Sequence, residues 1–535
     1  PEISWLWKWI RIDGLGSESL SNSFSWIPTE YWWWFRATRV INTFEGISGV
    51  DYTIQEFPFF SFLLGDLHPH VISIPFVLLF MALCWNFLQS PNISWKKDKI
   101  RNYSSIITFS LVLGGLGFTN LWDLPVFSVL FLTILGLKTY QSPNFDFVTL
   151  IRNTLSIGGP VIGLALLMFL PYYLKFNGSL TGINIVEGAT TRSVHTFIVW
   201  GTYLVLIVPF ILVSFWKTKV PKNWVTFTTI ALIVGFLPYV IWVFWALQTN
   251  GTINEAISRL FHILPYAILI VMTTYTVLWL AHERKPSSHV FIMTLTTLGL
   301  LLVMGPELFF VGDVFSNRMN TIFKTYYQAW IIFATVAGFI IYYWIHHHSY
   351  LSNSKRVISI LLASVFIILL SGSMYYPLAA ISSKSGTPLE NLTLDGLAFI
   401  ADTHRDEYEA IAFIKNHLDH NVGLVEAAGN DYSEFGRISS STGVSTIVNW
   451  TGHQTQWRGT GANTIARNND VAEIYQSPDI YKTKIILEKY NIDYIYVGPR
   501  ERLKYDDKEF HKFVEFTERI FENDSVTIYH MQKRF

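Results

Sequence analysis

The sequence predicts an all-α polytopic membrane bundle of about ten transmembrane helices, followed by a C-terminal soluble α/β domain. Of the 535 residues, 51% are hydrophobic and only 15% are charged, against roughly 25% charged residues in an ordinary soluble domain. The apolar residues gather into runs of about 17 to 23 residues, the length that crosses about 30 Å of hydrocarbon. The formal net charge is zero, so the charge balance does not indicate a nucleic-acid partner and we expect none.

The apolar runs define the predicted spans of the bundle. In chain order they lie at 70–88, 104–119, 124–138, 155–174, 196–216, 225–247, 264–281, 288–305, 326–345 and 357–376.

One alternate set of loops is rich in basic residues, and this pattern predicts the orientation. These basic residues are Lys96, Lys97, Lys99, Arg101, Lys138, Arg152, Lys217, Lys219, Lys222, Arg284, Lys285, Lys355 and Arg356. Lys and Arg are enriched in cytoplasmic loops. We therefore expect a protein of the cytoplasmic membrane with both 1–69 and the region after 377 on the outer face.

The C-terminal region has a soluble composition in which helical and extended patterns alternate. Helical stretches are predicted at 405–418, 479–489 and 508–521, and short apolar runs at 422–426, 444–448 and 492–497. This alternation is typical of an α/β domain. The predicted organisation is an interfacial segment at 1–69, a transmembrane domain at 70–377 and an extracytoplasmic domain at 378–535.

The chain begins at Pro1, without an initiator Met or a signal-peptide pattern, and we expect it to be a fragment whose N-terminal part is missing. The single cysteine, Cys84, lies inside an apolar run. One cysteine excludes a disulfide within the chain.

The first candidate site precedes the first span, in the segment EFPFFSFLLGDLHPH. It contains Glu56, Asp66, His68 and His70. In an extended segment, residues 66, 68 and 70 share one side. Such a trio suits a divalent metal, or a carboxylate that acts as a base beside a histidine. The alternative is that Asp66 caps the next helix and the histidines lie at the membrane interface.

The second candidate site follows the eighth span, in the segment PELFFVGDVFSNRMNTIFKTYYQAW. Arg318, Asn320 and Lys324 at the start of a helix suit an anionic lipid head group such as a phosphate. Glu307 and Asp313 are predicted substrate contacts. The alternative is internal pairing of Asp313 with Arg318 or of Glu307 with Lys324.

Weaker candidates are Asp123, between the second and third spans, and a group in the soluble domain. The latter contains His453, Trp457 and Arg458, in a loop after an apolar run. Loops after strands are where α/β domains place ligand contacts, although solvated loop residues are the default interpretation.

Four segments resemble the bacterial and archaeal "YYY" family of polytopic membrane proteins, a domain of unknown function. They are TIQEFPFFSFLLGDLHPHVISIPF, ELFFVGDVFSNRMNTIFKTYYQAW, DYSEFGRISSSTGVSTIVNWTGHQTQWRG and YNIDYIYVGPRER. That family is grouped with the GT-C glycosyltransferase superfamily, so the resemblance implies a GT-C-like bundle. It also implies transfer of a sugar from a polyprenyl-phosphate donor to an acceptor outside the cytoplasm. The acidic motif that such enzymes carry in their first outer loop is not visible in this sequence.

The sequence is compatible with three functions. In the leading hypothesis, Asp66 and Glu56 activate the acceptor hydroxyl or hold a metal, and Arg318 and Lys324 neutralise the leaving phosphate. A transporter is the second hypothesis, although few ionisable residues lie in the middle of the spans. The third is a non-catalytic envelope scaffold. Membrane lipids are expected partners in each case.

Overall fold

The computed structural model describes residues 9–12, 33–45, 48–49, 51–65, 67–90, 99–143, 145–176, 178, 180–249, 251–347, 353–385, 393–419, 421–458 and 461–531. The chain forms two compact units. The first comprises Pro1–Phe176 and Thr181–Pro388, and the second Asn177–Leu180 and Leu389–Phe535.

The first unit contains a helix at each of the ten predicted spans. They are α1 (Ile74–Gln89), α2 (Lys99–Thr119), α3 (Asp123–Tyr140), α4 (Phe147–Met168), α5 (Ser193–Trp216), α6 (Trp224–Gln248), α7 (Ile253–His282), α8 (Ser287–Met304), α9 (Met319–His347) and α10 (Asn353–Ser385). Eight of the helices in the described part are long and apolar enough to cross a membrane, by length and composition alone, and α1 and α2 contain shorter apolar stretches.

Neighbouring helices pack against each other through large apolar side chains. The pairs α6–α7, α7–α8 and α8–α9 are in contact along the chain order, and α2 contacts α4. Trp200 and Phe333 lie fully inside this core. Helix α10 is the exception, because only 6% of its most apolar window is buried within the unit, as expected of a helix whose surface is solvated by lipid.

Short elements connect the helices at one end of the first unit. Helices Trp33–Arg36, Pro58–Leu64 and Pro69–Ile72 precede α1. Two small antiparallel pairs lie in the loops, β1 (Phe44–Glu45) with β2 (Ser48–Gly49) and β3 (Gly182–Ile185) with β4 (Phe309–Gly312). The β3–β4 pair joins the loop before α5 to the loop between α8 and α9.

The second unit is an α/β domain built on a four-stranded sheet. Its strands are β5 (Leu424–Val425), β6 (Tyr494–Val497), β7 (Thr517–Glu522) and β8 (Thr527–Met531), in the order β5-β6-β8-β7. Only β5 and β6 are parallel. The helices are α11 (Ala398–Thr403), α12 (Arg405–His417), α13 (Arg437–Thr442), α14 (Thr451–Arg458), α15 (Ala462–Gln476), α16 (Ile480–Lys489) and α17 (Pro499–Lys504).

Two predicted elements of this domain are corrected by the structure. The predicted helix at 508–521 is a 3-10 helix, Asp507–Glu515, followed by β7. Residues from Thr517 onward pair with β8 instead, because a neighbouring strand satisfies their backbone groups. The apolar run at 444–448 forms one isolated bridge, from Ser445 to Gly423, and Trp450 just after the run forms another with Gly429.

Candidate functional site

A buried charged network joins three loops at one end of the first unit. The Arg318 guanidinium donates to Asp51 Oδ2 through Nε at 2.9 Å and Nη2 at 2.7 Å, and to Glu307 Oε1 through Nη1 at 2.9 Å. Arg318 is 1% exposed, and the side chains of Asp51 and Glu307 are 3% and 0% exposed. One cation therefore lies between two carboxylates, out of contact with solvent.

The remaining contacts of Glu307 come from the loop before α5 and from α7. Thr191 donates to Glu307 through its hydroxyl at 2.5 Å and its backbone N–H at 3.0 Å. His262 Nε2 lies 2.8 Å from Glu307 Oε2. Arg259, one turn earlier on α7, donates to the carbonyls of Ala189 and Glu307 at 2.7 Å and 3.0 Å.

The network is positioned by the ends of regular elements. Glu307 follows α8, Arg318 precedes α9, and Asp51 follows β2. Burial raises the pKa of Asp51, and the neighbouring Arg318 opposes this effect. Three ionisable groups are thus desolvated, and their mutual pairing is what compensates that cost.

In the structure, Arg318 and Glu307 contact protein groups, and their predicted ligand-binding roles stay predictions. Arg318 was predicted to bind a lipid phosphate and Glu307 a substrate. Their hydrogen-bonding groups are instead directed at buried protein partners. The observed pairs also differ from the two internal ion pairs that the sequence suggested. Arg318 pairs with Asp51 and Glu307, and Asp313 Oδ2 accepts from Asn320 Nδ2 at 2.6 Å.

A second feature of this unit is a cavity lined by Glu56. The cavity has a volume of about 100 Å³, and its other walls come from Ala37, Val40, Gln55, Phe57, Ile198, Val199, Trp200, Tyr326 and Trp330. Arg39 Nη2 donates to Glu56 Oε1 at 3.1 Å, and the two side chains are 9% and 11% exposed. The cavity therefore combines a paired carboxylate with several aromatic rings.

The predicted residues His70, Lys324 and Asp123 lie close together near the starts of α1, α9 and α3. Lys324 Nζ is 3.2 Å from His70 Nδ1, and Gln328 Nε2 donates to Asp123 Oδ1 at 2.6 Å. The ring centroid of the half-buried His68 is 5.1 Å from that of His70. His70 Nε2 and Asp123 Oδ2 are buried without a hydrogen-bond partner among the described residues.

Some predicted residues cannot be placed or lie elsewhere. Asp66 lies outside the described residues, and so does the side chain of Arg458. His453 and Trp457 lie on α14 of the second unit, 6.2 Å apart between ring centroids. Among the described residues, no group of three or more His, Cys, Asp or Glu side chains converges as metal ligands. The Asp66–His68–His70 metal site stays a prediction.

Sequence reasoning did not single out Asp51, and it did not identify Arg39 as the partner of Glu56. The sequence around Asp51 has no clear helical or strand periodicity, and Asp51 lies 267 residues from Arg318. The signal that was available is the requirement that a buried Arg at membrane depth has a carboxylate partner. That requirement does not say which carboxylate supplies the pairing.

Comparison with known proteins identifies a family and finds distantly similar solved structures. The family model described as "Uncharacterized membrane protein (DUF2298)" matches residues 4–333. The structure of the Archaeoglobus fulgidus oligosaccharyltransferase tethered with an acceptor peptide is similar with a TM-score of 0.30 and 14% identity, over 81% of this chain and 52% of that chain. Its apo form is similar with a TM-score of 0.31 and 12% identity, over 83% of this chain and 54% of that chain.

This chain spans about half the length of those oligosaccharyltransferase structures. No curated protein matches it. The family match covers more than half of the 535 residues, in agreement with the membrane-protein family that the sequence motifs resemble. The chain belongs to the family of membrane proteins described as DUF2298.

Proposed function

We propose that this protein is a membrane glycosyltransferase that moves a sugar from a polyprenyl-phosphate donor to an acceptor on the outer face. The observation that carries the proposal is the cavity in which Glu56, paired with Arg39, faces aromatic walls. A single site then offers a general base and surfaces that suit a sugar ring.

The chemistry requires a proton acceptor beside the acceptor hydroxyl. Glu56 takes the proton as the hydroxyl oxygen attacks the anomeric carbon, and the bond from that carbon to the phosphate oxygen breaks. The electron pair of that bond leaves with the polyprenyl phosphate. Arg39 orients the Glu56 carboxylate through the 3.1 Å hydrogen bond.

The cavity walls suit the sugar itself. Phe57, Trp200, Tyr326 and Trp330 line the cavity, and aromatic faces pack against the C–H groups of a pyranose ring while leaving its hydroxyls for polar partners.

Lys324 is the proposed cation for the leaving phosphate. It lies in the second turn of α9, on a different face from the cavity-lining Tyr326, and is not itself a wall of the Glu56 cavity. Its ammonium is beside His70, and a cation at the membrane interface stabilises an anionic head group. Asp66 remains a second candidate base.

The test is the Glu56→Gln variant in membranes that contain the endogenous acceptors. Labelled mannosyl and glucosyl phosphates of undecaprenol and dolichol serve as donors. Loss of a general base lowers transfer by roughly 10²- to 10⁴-fold. The matched control is Glu187→Gln, since Glu187 is an exposed carboxylate that lines a different cavity.

Three results would count against the proposal. They are undiminished transfer by Glu56→Gln, equal loss in the Glu187→Gln control, and uptake of a labelled sugar into proteoliposomes without chemical conversion. The last result would revive the transporter hypothesis.

A further inference from the structure

Two arginines of the second unit, which we name the arginine pair, hold one carboxylate between them. They are Arg437, the first residue of α13, and Arg500, the second residue of α17. Arg437 Nη2 donates to Glu434 Oε1 at 2.6 Å, and Arg500 Nη2 donates to Glu434 Oε2. Each oxygen of the Glu434 carboxylate therefore meets a different guanidinium.

A second carboxylate, on the buried side, fixes the arginine pair in place. The Glu407 side chain, on α12, is 3% exposed, and it accepts from Arg437 Nη1 at 2.5 Å and from Arg500 Nη1. The side chains of Arg437 and Arg500 are 9% and 12% exposed. Because a guanidinium is planar and rigid, binding of both Nη1 groups by Glu407 also sets the direction of both Nη2 groups.

The arginine pair lies beyond the ends of the two parallel strands, β5 and β6. Arg500 comes three residues after β6, and Arg437 begins the first helix after β5. This helix is held by Glu426, directly after β5, which accepts from the N–H groups of Ile438 and Ser439 at 3.1 Å and 2.9 Å. The carboxyl ends of parallel strands are where open α/β sheets bind ligands.

Glu434 differs from the other members of this cluster in its exposure. Its side chain is 57% exposed, whereas the two carboxylates that pair with Arg318 in the first unit are at most 3% exposed. Glu434 lies in the connection between β5 and α13, outside regular helix or strand. A rotation of this side chain into solvent leaves two guanidiniums that share one carboxylate, so the positive charge is then in excess.

We propose that the arginine pair is a binding site for an oxyanion of an external ligand, and that Glu434 occupies this site in the free protein. Carboxylate and phosphate groups both present two oxygens that guanidinium donors bind well. Because Glu434 must leave first, the apparent affinity is lowered in proportion to the fraction of molecules in which the site is vacant. The site is separate from the Glu56 cavity, and it does not depend on the transfer reaction.

The experiment measures hydrogen exchange of the backbone over residues 431–442, in the full chain in lipid nanodiscs. Inorganic phosphate and galacturonate represent the two kinds of oxyanion and are titrated against sodium chloride at matched ionic strength. In Glu434→Ala we expect a saturable gain in protection with at least one of them. The apparent dissociation constant is expected to be at least about tenfold lower than in the unmodified chain, because the internal competitor is gone.

Two further variants separate the arginine pair from the general effect of freeing an arginine. Glu522→Ala removes a carboxylate of similar exposure, 52%, from the single arginine Arg519, and we expect no saturable response around residue 519. Adding Arg500→Gln to Glu434→Ala removes half of the arginine pair, and we expect the response to disappear. Protection of the β8 amides in the same samples shows that the domain remains folded.

The absence of a saturable response to both anions in Glu434→Ala would overturn the proposal. An equal response in Glu522→Ala would also overturn it, because any freed arginine would then bind the anion. A response to phosphate alone assigns a phosphate ligand, and a response to galacturonate alone assigns a carboxylate ligand. None of these readouts requires sugar transfer, so the Glu56 experiment can fail while this inference stands, and the reverse also holds.

Discussion

Arg318 is the residue on which the buried network depends, because it alone neutralises both Asp51 and Glu307. In an Arg318→Met variant the two carboxylates face each other without the cation. Breaking a buried ion pair by removing one partner costs about 3 to 5 kcal/mol. We expect a large fall in the temperature at which the purified protein unfolds, measured by fluorescence-detected size-exclusion chromatography after heating.

The control for this prediction is Arg405→Met. Arg405 is 83% exposed and pairs with Glu409 one turn away at 3.2 Å, and exposed pairs contribute at most about 1 kcal/mol. Equal thermal stability of the two variants would contradict a structural role for Arg318.

Glu501 makes the second unit sensitive to pH. The side chain is buried, and it accepts from the backbone N–H groups of Ala427 and Gly498 at 2.6 Å and 2.9 Å. Burial raises the pKa of Glu501 from 4.5 to about 7. Because the folded state holds the proton more tightly than the unfolded state, this group's contribution to the free energy of unfolding is greatest below pH 4.5. It falls by about 3 kcal/mol as the pH rises to about 7.

Hydrogen exchange of the β6 amides at pH 5 and pH 7.5, corrected for intrinsic rates, measures this change. We expect less protection at pH 7.5 in the unmodified chain and a smaller difference in the Glu501→Gln variant. A difference that persists unchanged in Glu501→Gln would assign the pH dependence to another group.

At the residue scale, the sequence identified the ionisable side chains but not their pairing. Glu307, Arg318, Lys324 and His70 stand out as polar residues at the ends of apolar runs. Which carboxylate meets Arg318 is decided by packing between helices and loops that are far apart in the chain. The same limit explains why Glu56 was noticed and its partner Arg39 was not.

At the scale of elements, α7 begins eleven residues before the apolar run that predicted it. Its start is fixed by a capping box, in which Thr252 accepts from the Glu255 N–H at 3.2 Å and Glu255 accepts from the Thr252 N–H at 2.7 Å. Loss of an N-cap hydroxyl costs about 1 kcal/mol.

We therefore expect Thr252→Ala to lower the thermal stability modestly and to increase proteolysis before α7. The matched control is Thr108→Ala, because the Thr108 hydroxyl is exposed and bonds only to the Ser104 carbonyl within α2. Faster cleavage in both variants, or in neither, would contradict the capping role.

Sequence reasoning located best the helices that contain long apolar runs. All ten apolar runs correspond to helices, since length and hydropathy alone determine that outcome. The helix starts were placed latest at α4, α7 and α9, because the first turns of these helices contain polar residues that lie outside the apolar runs. In the second unit, the error at 508–521 arose because pairing with β8 overrides the local helical pattern.

At the scale of the whole molecule, the alternate basic loops predict a fixed orientation in the membrane. The single Cys84 is buried, so a Cys84→Ala chain is a suitable background for labelling. We expect Tyr481→Cys to react with an impermeant maleimide in intact cells, and Lys219→Cys to react only after permeabilisation. The opposite pattern would reverse the predicted orientation and remove Glu56 from the outer face.

The long separation between Asp51 and Arg318 has a consequence for biosynthesis. A ribosome delivers Asp51 to the membrane 267 residues before its counter-ion, and Glu307 also emerges ahead of Arg318. Until α9 is inserted, both acids must remain hydrated, because neither can be dehydrated alone at an acceptable cost. Insertion of α9 therefore completes the ion pairing of the segment that contains Asp51. We expect a chain truncated before residue 318 to be recognised as incomplete by membrane quality control.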